Sequence, residues 1–312
     1  MDRMDKLLFL SPFKFTRWQS PHSASFCLLI VFLFSTLQAF AQPLQLRVAN
    51  SMLANADYHQ GESDKPAVLV LHGFLSTHHF PTVQHIAGEL RESGYSVLTP
   101  SLTLGLNNRT TSLPCDALHL HNMEQSVEEI DWWVEWLVAK GHTRIHLIGH
   151  SAGSLQLLIA NMQKHNAAVQ SLTLTSLIPL ERLPSESPKG DTVEMALKRL
   201  KQGDSSIRKY DLSFCHGNFA APPEVYLSYV SWTKQRIING LKSSQTPINI
   251  IMGGNDKRFT GNNWMPLLLQ AAPKLDILEG ANHFYDGDAE FALLESILDK
   301  LETLDTTTNR GT

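Results

Sequence analysis

The sequence predicts an α/β protein with a mostly parallel central sheet and helices on both faces. Short, continuously apolar runs alternate with amphipathic segments through most of the chain, and strands buried in a parallel sheet have this apolar character. With 312 residues, of which 43% are hydrophobic and 18% charged, the chain is long enough for one large domain of this kind. The predicted strands are residues 67–71, 95–98, 144–148, 169–174, 248–252 and 275–278.

The predicted helices occupy the segments between these strands and the end of the chain. Their apolar residues recur at helical spacing, and in the helix 124–140 this stripe is followed by Gly141, a typical C-terminal stop. The predicted helices are residues 82–93, 124–140, 154–162, 192–200 and 289–304.

The first 41 residues differ from the rest and predict a signal peptide. Basic residues precede an apolar run at residues 26–34, and Ala39 and Ala41 provide the small residues that a signal peptidase recognises. We therefore expect cleavage before Gln42 and an exported mature domain, periplasmic or secreted. The alternative is an uncleaved membrane anchor, which would be the chain's one contact with a membrane. The apolar run is shorter than the roughly 20 residues that a spanning helix needs.

Two segments interrupt the alternation of strands and helices, residues 101–123 and 180–240. Long connections within a compact domain are usually functional. The longer one holds four prolines around the helix 192–200, and we expect it to form a lid over the carboxyl ends of the strands. The domain is predicted to end at residue 304, and the polar residues 305–312 predict a disordered tail.

Charge and cysteine content restrict the partners and the compartment. The formal net charge is −4 and no basic tract is present, so nucleic acid is not an expected partner. Beyond the signal segment the chain keeps two cysteines, Cys115 and Cys215. In an exported protein such a pair could form a disulfide or remain as two separate thiols, and the sequence leaves both readings open.

The strongest chemical signal is the run Gly149-His150-Ser151-Ala152-Gly153. It follows a predicted strand and opens a predicted helix, which is the setting of the Gly-x-Ser-x-Gly nucleophile elbow. The tight turn forces the serine into a strained backbone conformation, and a side chain at either glycine would collide with the neighbouring strand or helix. The pattern therefore predicts an exposed, nucleophilic Ser151 hydroxyl.

With this motif in place, residues 44–304 resemble the α/β-hydrolase superfamily. That family places an acid after a later strand and a histidine after the last one, and Asp256 and His283 stand at these positions. The resemblance implies a triad in which His283 takes the proton of Ser151 and Asp256 orients the imidazole. Asp276 and Glu279 are the nearest alternatives for the acid.

The segment Leu71-His72-Gly73-Phe74 follows an early strand and resembles the family's His-Gly oxyanion segment. The resemblance implies that the backbone N–H groups of Phe74 and Ala152 bind the oxyanion of a tetrahedral intermediate. No Gly-rich dinucleotide motif or P-loop accompanies these elements, so no cofactor is expected. The chain has many histidines, but His78, His79, His119 and His121 match no common zinc spacing, and no metal is expected.

These features predict a serine hydrolase that cleaves a carboxylic ester or a related acyl bond, with a small-molecule or lipid-like substrate. Thioesters and amides remain open, because the fold hosts many chemistries. The alternatives are a binding protein that keeps the hydrolase scaffold without turnover, and an acyltransferase that uses an alcohol or sugar in place of water.

Overall fold

A computed structural model describes residues 42–48, 51–181, 190–259, 263–272 and 275–309. The predicted signal peptide, part of the predicted lid and the last three residues lie outside the described residues. Within the described ranges, no helix combines the length and the apolar character needed to cross a membrane.

The core of the fold is an eight-stranded sheet in the order β1-β2-β4-β3-β5-β6-β9-β10, with a separate β7-β8 hairpin. Only the pairings of β2 with β1 and with β4 are antiparallel; the other neighbours in the sheet run parallel. The strands are β1 (Gln42–Arg47), β2 (Leu53–His59), β3 (Ala67–Leu71), β4 (Ser96–Ser101), β5 (Ile145–His150), β6 (Val169–Thr175), β7 (Arg208–Leu212), β8 (Cys215–Ala221), β9 (Ile248–Gly253) and β10 (Leu275–Leu278).

Helices cover the sheet on both faces, as the sequence predicts. The described helices are α1 (Pro81–Glu92), α2 (Met123–Ala139), α3 (Ala152–Lys164), α4 (Val193–Lys201), α5 (Pro223–Val230), α6 (Lys234–Ser243), α7 (Trp264–Ala271) and α8 (Ala289–Asn309). Strand β3 is fully buried, and its side chains alternate between two cores. Leu69 and Leu71 join the core that includes α2 and α3, whereas Val68 and Val70 join the core with α1 and α8.

Several elements differ from the prediction, each for a local reason. The sequence does not predict strands β1 and β2, because neither has a continuous apolar run. Strand β1 is exposed on alternate residues, and β2 is only half-buried. Helix α8 runs to Asn309, so residues 305–309 are helical where the sequence predicts a disordered tail, and residues 310–312 lie outside the described residues. No proline or glycine interrupts the polar residues 305–309, and the backbone hydrogen bonds of the helix continue through them.

The long insertion lies between β6 and β9 and contains α4, the β7-β8 hairpin, α5 and α6. A disulfide joins Cys115, in the segment between β4 and α2, to Cys215 in the hairpin, which answers the question that the sequence leaves open. Beside it, the His119 backbone N–H donates to the carbonyl of Ala220 at 2.8 Å, and the His119 ring stacks on Phe219. The two segments that interrupt the predicted alternation are thus fastened to each other.

Candidate functional site

Ser151 occupies the sharp turn between β5 and α3. Its φ of 57° is a strained value for a residue with a side chain, and its N–H donates to the Thr175 carbonyl of the next strand at 2.9 Å. A Cβ added to Gly149 would lie 2.5 Å from the Ser154 nitrogen, and one added to Gly153 would lie 2.4 Å from the His72 carbonyl oxygen. Only glycine fits at these two positions, so the local sequence accounts for the turn.

The three residues predicted as a triad lie together at the carboxyl ends of the strands. His283 follows β10, and its Nε2 is 2.9 Å from the Ser151 Oγ. Asp256 follows β9, and its Oδ2 is 2.5 Å from the His283 Nδ1. The other Asp256 oxygen accepts from the Arg258 N–H at 2.8 Å, which fixes the carboxylate. All three side chains are buried at or below 5% exposure.

The two alternative acids do not reach the histidine. Asp276 is bound instead to Ser296 and Lys300 of helix α8. Glu279 is exposed in the turn after β10. Asp256 therefore has the better geometry for orienting His283.

Burial sets the protonation of the histidine. It lowers the pKa of His283 below 6.5, an effect that the hydrogen bond donated to Asp256 opposes and the nearby Arg258 cation reinforces. A neutral imidazole at pH 7 has an unprotonated nitrogen, and hydrogen bonding of its Nδ1–H to Asp256 directs that nitrogen to Ser151. The arrangement is that of a base next to a hydroxyl.

The predicted oxyanion segment, residues 71–74, lies against Ser151. A Cβ on Gly73 would be 3.4 Å from the Cβ of Ser151, so the backbone of this segment is within contact range. Ala152 is the first residue of α3, where an N–H has no acceptor within the helix. In the described part of the chain, the Phe74 N–H also donates to no other group. Both donors are free to bind a ligand oxygen.

His72 holds this segment in place. Its Nε2 accepts from the Leu102 N–H at 3.1 Å, which assigns the proton to Nδ1, and Nδ1 lies 2.8 Å from the Gly73 carbonyl. Burial and the Arg109 cation lower the pKa of His72 to about 3, so the ring is neutral over the physiological range. It fastens the segment through hydrogen bonds that do not change with pH near neutrality.

Arg109 is a buried residue that sequence reasoning did not find. Its guanidinium donates to the carbonyls of Ser76 at 2.7 Å and Leu102 at 2.8 Å. It also donates to Thr111 in its own loop, and thereby ties that loop to the residues that follow the oxyanion segment. No motif surrounds Arg109 in the sequence; a lone arginine within a long loop gives no local signal.

A cavity of about 200 Å³ opens beside Ser151. Its walls are mostly apolar, and Phe74 contacts Phe214 at the tip of the β7-β8 hairpin with ring centres 5.6 Å apart. The Arg258 guanidinium lies 5.3 Å from the centre of the Phe284 ring. The lining residues are Gly73, Phe74, Leu75, Ser76, Phe80, Ser112, Leu113, His150, Ser151, Phe214, Arg258 and Phe284.

Both interrupting segments thus contribute to the cavity wall. Ser112 and Leu113 come from the loop between β4 and α2, and Phe214 comes from the insertion. Arg258 was also missed at the sequence level, although its position two residues after Asp256 is a signal that could have drawn attention to it. Whether the insertion acts as a lid stays a prediction.

Comparisons with known proteins agree with this architecture. The α/β hydrolase fold family matches residues 66–208. No curated protein sequence shows significant similarity to the chain. Among solved structures, Est1E from Butyrivibrio proteoclasticus with bound ferulic acid is 17% identical, with a TM-score of 0.58 over 86% of this chain and 98% of that one.

Two other similar structures are named as a thioesterase domain and as an epoxide hydrolase. A thioesterase domain from the curacin biosynthetic pathway is 17% identical, with a TM-score of 0.54 over 83% of this chain and 99% of that one. The epoxide hydrolase VrEH1 from Vigna radiata is 15% identical, with a TM-score of 0.56 over 84% and 98%. At these identities the likeness establishes the fold and not the substrate. Sheet order, the family match over residues 66–208 and the structural likeness agree that the chain has the α/β-hydrolase fold.

Proposed function

We propose that the protein is a serine hydrolase that cleaves a carboxylic ester or a related acyl bond. The observation that supports this most is the continuous hydrogen-bonded chain from Asp256 through His283 to Ser151, at the mouth of an apolar cavity. A serine hydroxyl is a weak nucleophile unless a base accepts its proton, and this arrangement supplies the base and its orienting acid.

The proposed reaction has two stages. His283 takes the proton of Ser151 as Oγ attacks the acyl carbon, and the N–H groups of Phe74 and Ala152 stabilise the negative charge on the carbonyl oxygen. His283 then gives the proton to the leaving group, and an acyl-serine remains. Water, deprotonated by the same imidazole, then attacks the acyl carbon. As the bond to Ser151 breaks, His283 returns the proton to the serine oxygen, and the acid is released.

The cavity limits the substrates in this proposal. Pockets for drug-sized ligands are roughly 300–1,000 Å³, so about 200 Å³ favours a short or a single-ring acyl group. Four phenylalanines in the wall favour a planar aromatic acyl group, and ferulic acid in Est1E is an aromatic acid of this kind. The disulfide supports the proposed periplasmic or secreted location, because such bonds persist in oxidising compartments.

A fluorophosphonate probe tests this proposal directly. We expect the mature domain from Gln42 onward to form one covalent adduct, which peptide mass spectrometry locates on Ser151. Ser112→Ala is a matched control, since this serine also lines the cavity but has no described histidine partner. It should label like the wild type, whereas Ser151→Ala should not label. Absence of labelling in a folded wild type would favour the binding-protein alternative.

The pH dependence of hydrolysis follows from the state of His283. Because burial lowers its pKa, the neutral form that accepts the serine proton persists below pH 6.5. We expect kcat/KM to rise with pH along a single acid limb whose midpoint lies below 6.5, and then to stay level through neutrality. Initial rates on a neutral ester, measured from pH 4 to 8 at constant ionic strength, check this. An acid limb centred above 6.5 would contradict the assignment of His283 in its described environment.

A further inference from the structure

We propose that Asp57, His78 and His79 form a binding site for a divalent transition-metal ion such as Zn²⁺, outside the serine site. Within the described residues, each of the three offers one ligand atom, and these atoms all lie within 4.8 Å of one another. The His78 Nε2 is 3.6 Å from the Asp57 Oδ2. Two imidazoles and one carboxylate are a ligand set that zinc commonly takes.

The ligands come from two different parts of the fold. Asp57 lies in β2, opposite Thr99 of β4, and the two histidines follow the oxyanion segment that leaves β3. Convergence from separate elements is what sets this cluster apart from a chance pair of neighbouring histidines. His119 and His121, also singled out in the sequence, are not part of it.

A hydrogen bond orients His78 for ligation. Its Nδ1 lies 2.6 Å from the Ser101 Oγ, which also accepts from the His78 backbone N–H at 3.0 Å. With Nδ1 engaged by Ser101, Nε2 is the atom that faces Asp57. Ligating histidines in metal sites are typically held this way through their second ring nitrogen.

The ligand atoms, now within 4.8 Å of one another, have to approach each other for the site to close. With Zn–N bonds of about 2.0–2.1 Å, tetrahedral ligand atoms lie about 3.4 Å apart. Asp57 is half-buried and His79 is exposed, so both can adjust, while His78 is buried and held by Ser101. Three protein ligands leave one position for water.

One nearby charge opposes a cation at this position. The Arg109 guanidinium acts electrostatically on His78, so we expect weaker binding than in a closed four-ligand site.

Metal binding is tested on the mature domain, prepared without a histidine tag and stripped with EDTA. We expect calorimetric titration to give one Zn²⁺ per chain, and Co²⁺ to give the visible absorption of a low-coordinate site. His79→Ala and Asp57→Asn should each weaken binding by at least about 10-fold, and Ser101→Ala by about 10-fold through loss of orientation. His85→Ala is the matched control: His85 is exposed and paired with Glu290, but lies outside the cluster, and its loss should leave the affinity unchanged.

Two results would overturn the proposal. One is a wild type that gives neither saturable Zn²⁺ binding nor a Co²⁺ spectrum. The other is a set of variants that bind as the wild type does, which would mean adventitious surface binding.

Circular dichroism of each variant checks that it folds, and the exposed position of His79 makes its replacement a mild change. Because metal binding is measured without substrate, the result is independent of the serine chemistry.

Discussion

Replacing Ser151 with alanine should lower kcat/KM on a p-nitrophenyl ester by a factor on the order of 10⁶, while the protein stays folded. The methyl group cannot attack the acyl carbon, and only the backbone donors of Phe74 and Ala152 remain to stabilise charge. A small residual rate above that in water is therefore expected.

The same kinetic series distinguishes the roles of the partners. Asp256→Asn should reduce kcat by about 10⁴-fold, since an amide favours the wrong imidazole tautomer at His283. Asp276→Asn is the matched control, because Asp276 is bound to helix α8 and not to the histidine. Comparable losses in both aspartate variants would contradict the assignment of Asp256, and full activity of Ser151→Ala would remove the serine mechanism altogether.

Removing the disulfide should cost about 4–5 kcal/mol of unfolding free energy. The bond joins residues 100 apart in the sequence, and closing a loop of this length restricts the unfolded chain strongly. We expect the double variant Cys115→Ala with Cys215→Ala to show this loss in urea denaturation monitored by tryptophan fluorescence.

A reductant provides the control for this measurement. It should destabilise the wild type by a similar amount and leave the double variant unchanged.

The disulfide also lies close to the cavity wall in sequence, since Leu113 stands two positions before Cys115 and Phe214 stands immediately before Cys215. We therefore also expect KM to rise more than kcat falls. A double variant as stable as the wild type would show that the bond adds nothing beyond the packing of His119 on Phe219.

The predictable parts of the fold are those whose signal is local. Each buried parallel strand is a short apolar run, and the Ser151 turn carries its own glycines, so sequence alone identifies the core strands and the elbow. Asp256 and His283 are predicted only through their strand positions in a family resemblance. Strands β1 and β2 were missed because a half-exposed antiparallel edge has no continuous apolar run.

The unpredictable parts depend on contacts between distant segments. Arg109 gains its role from carbonyls on three loop positions, which nothing in its own neighbourhood indicates. Helix α5 packs on α4 and β7 within the insertion, whereas α6 packs on α3 and α7 outside it. The short, mixed sequences of these elements match no single period. The cysteine pairing likewise became clear only once the loop and the hairpin were adjacent.

The origin of the cavity walls has a consequence for how such a protein can change. Ser112, Leu113 and Phe214 come from connections outside the central sheet, whereas Ser151, Asp256 and His283 stand on the ends of its strands. In the proposed mechanism, substitutions at the first three positions would therefore alter which acyl groups fit the cavity and leave Ser151, Asp256 and His283 in place. A variant library confined to these three positions would test new substrate preferences while Ser151, Asp256 and His283 stay unchanged. Natural sequence divergence can change the same positions.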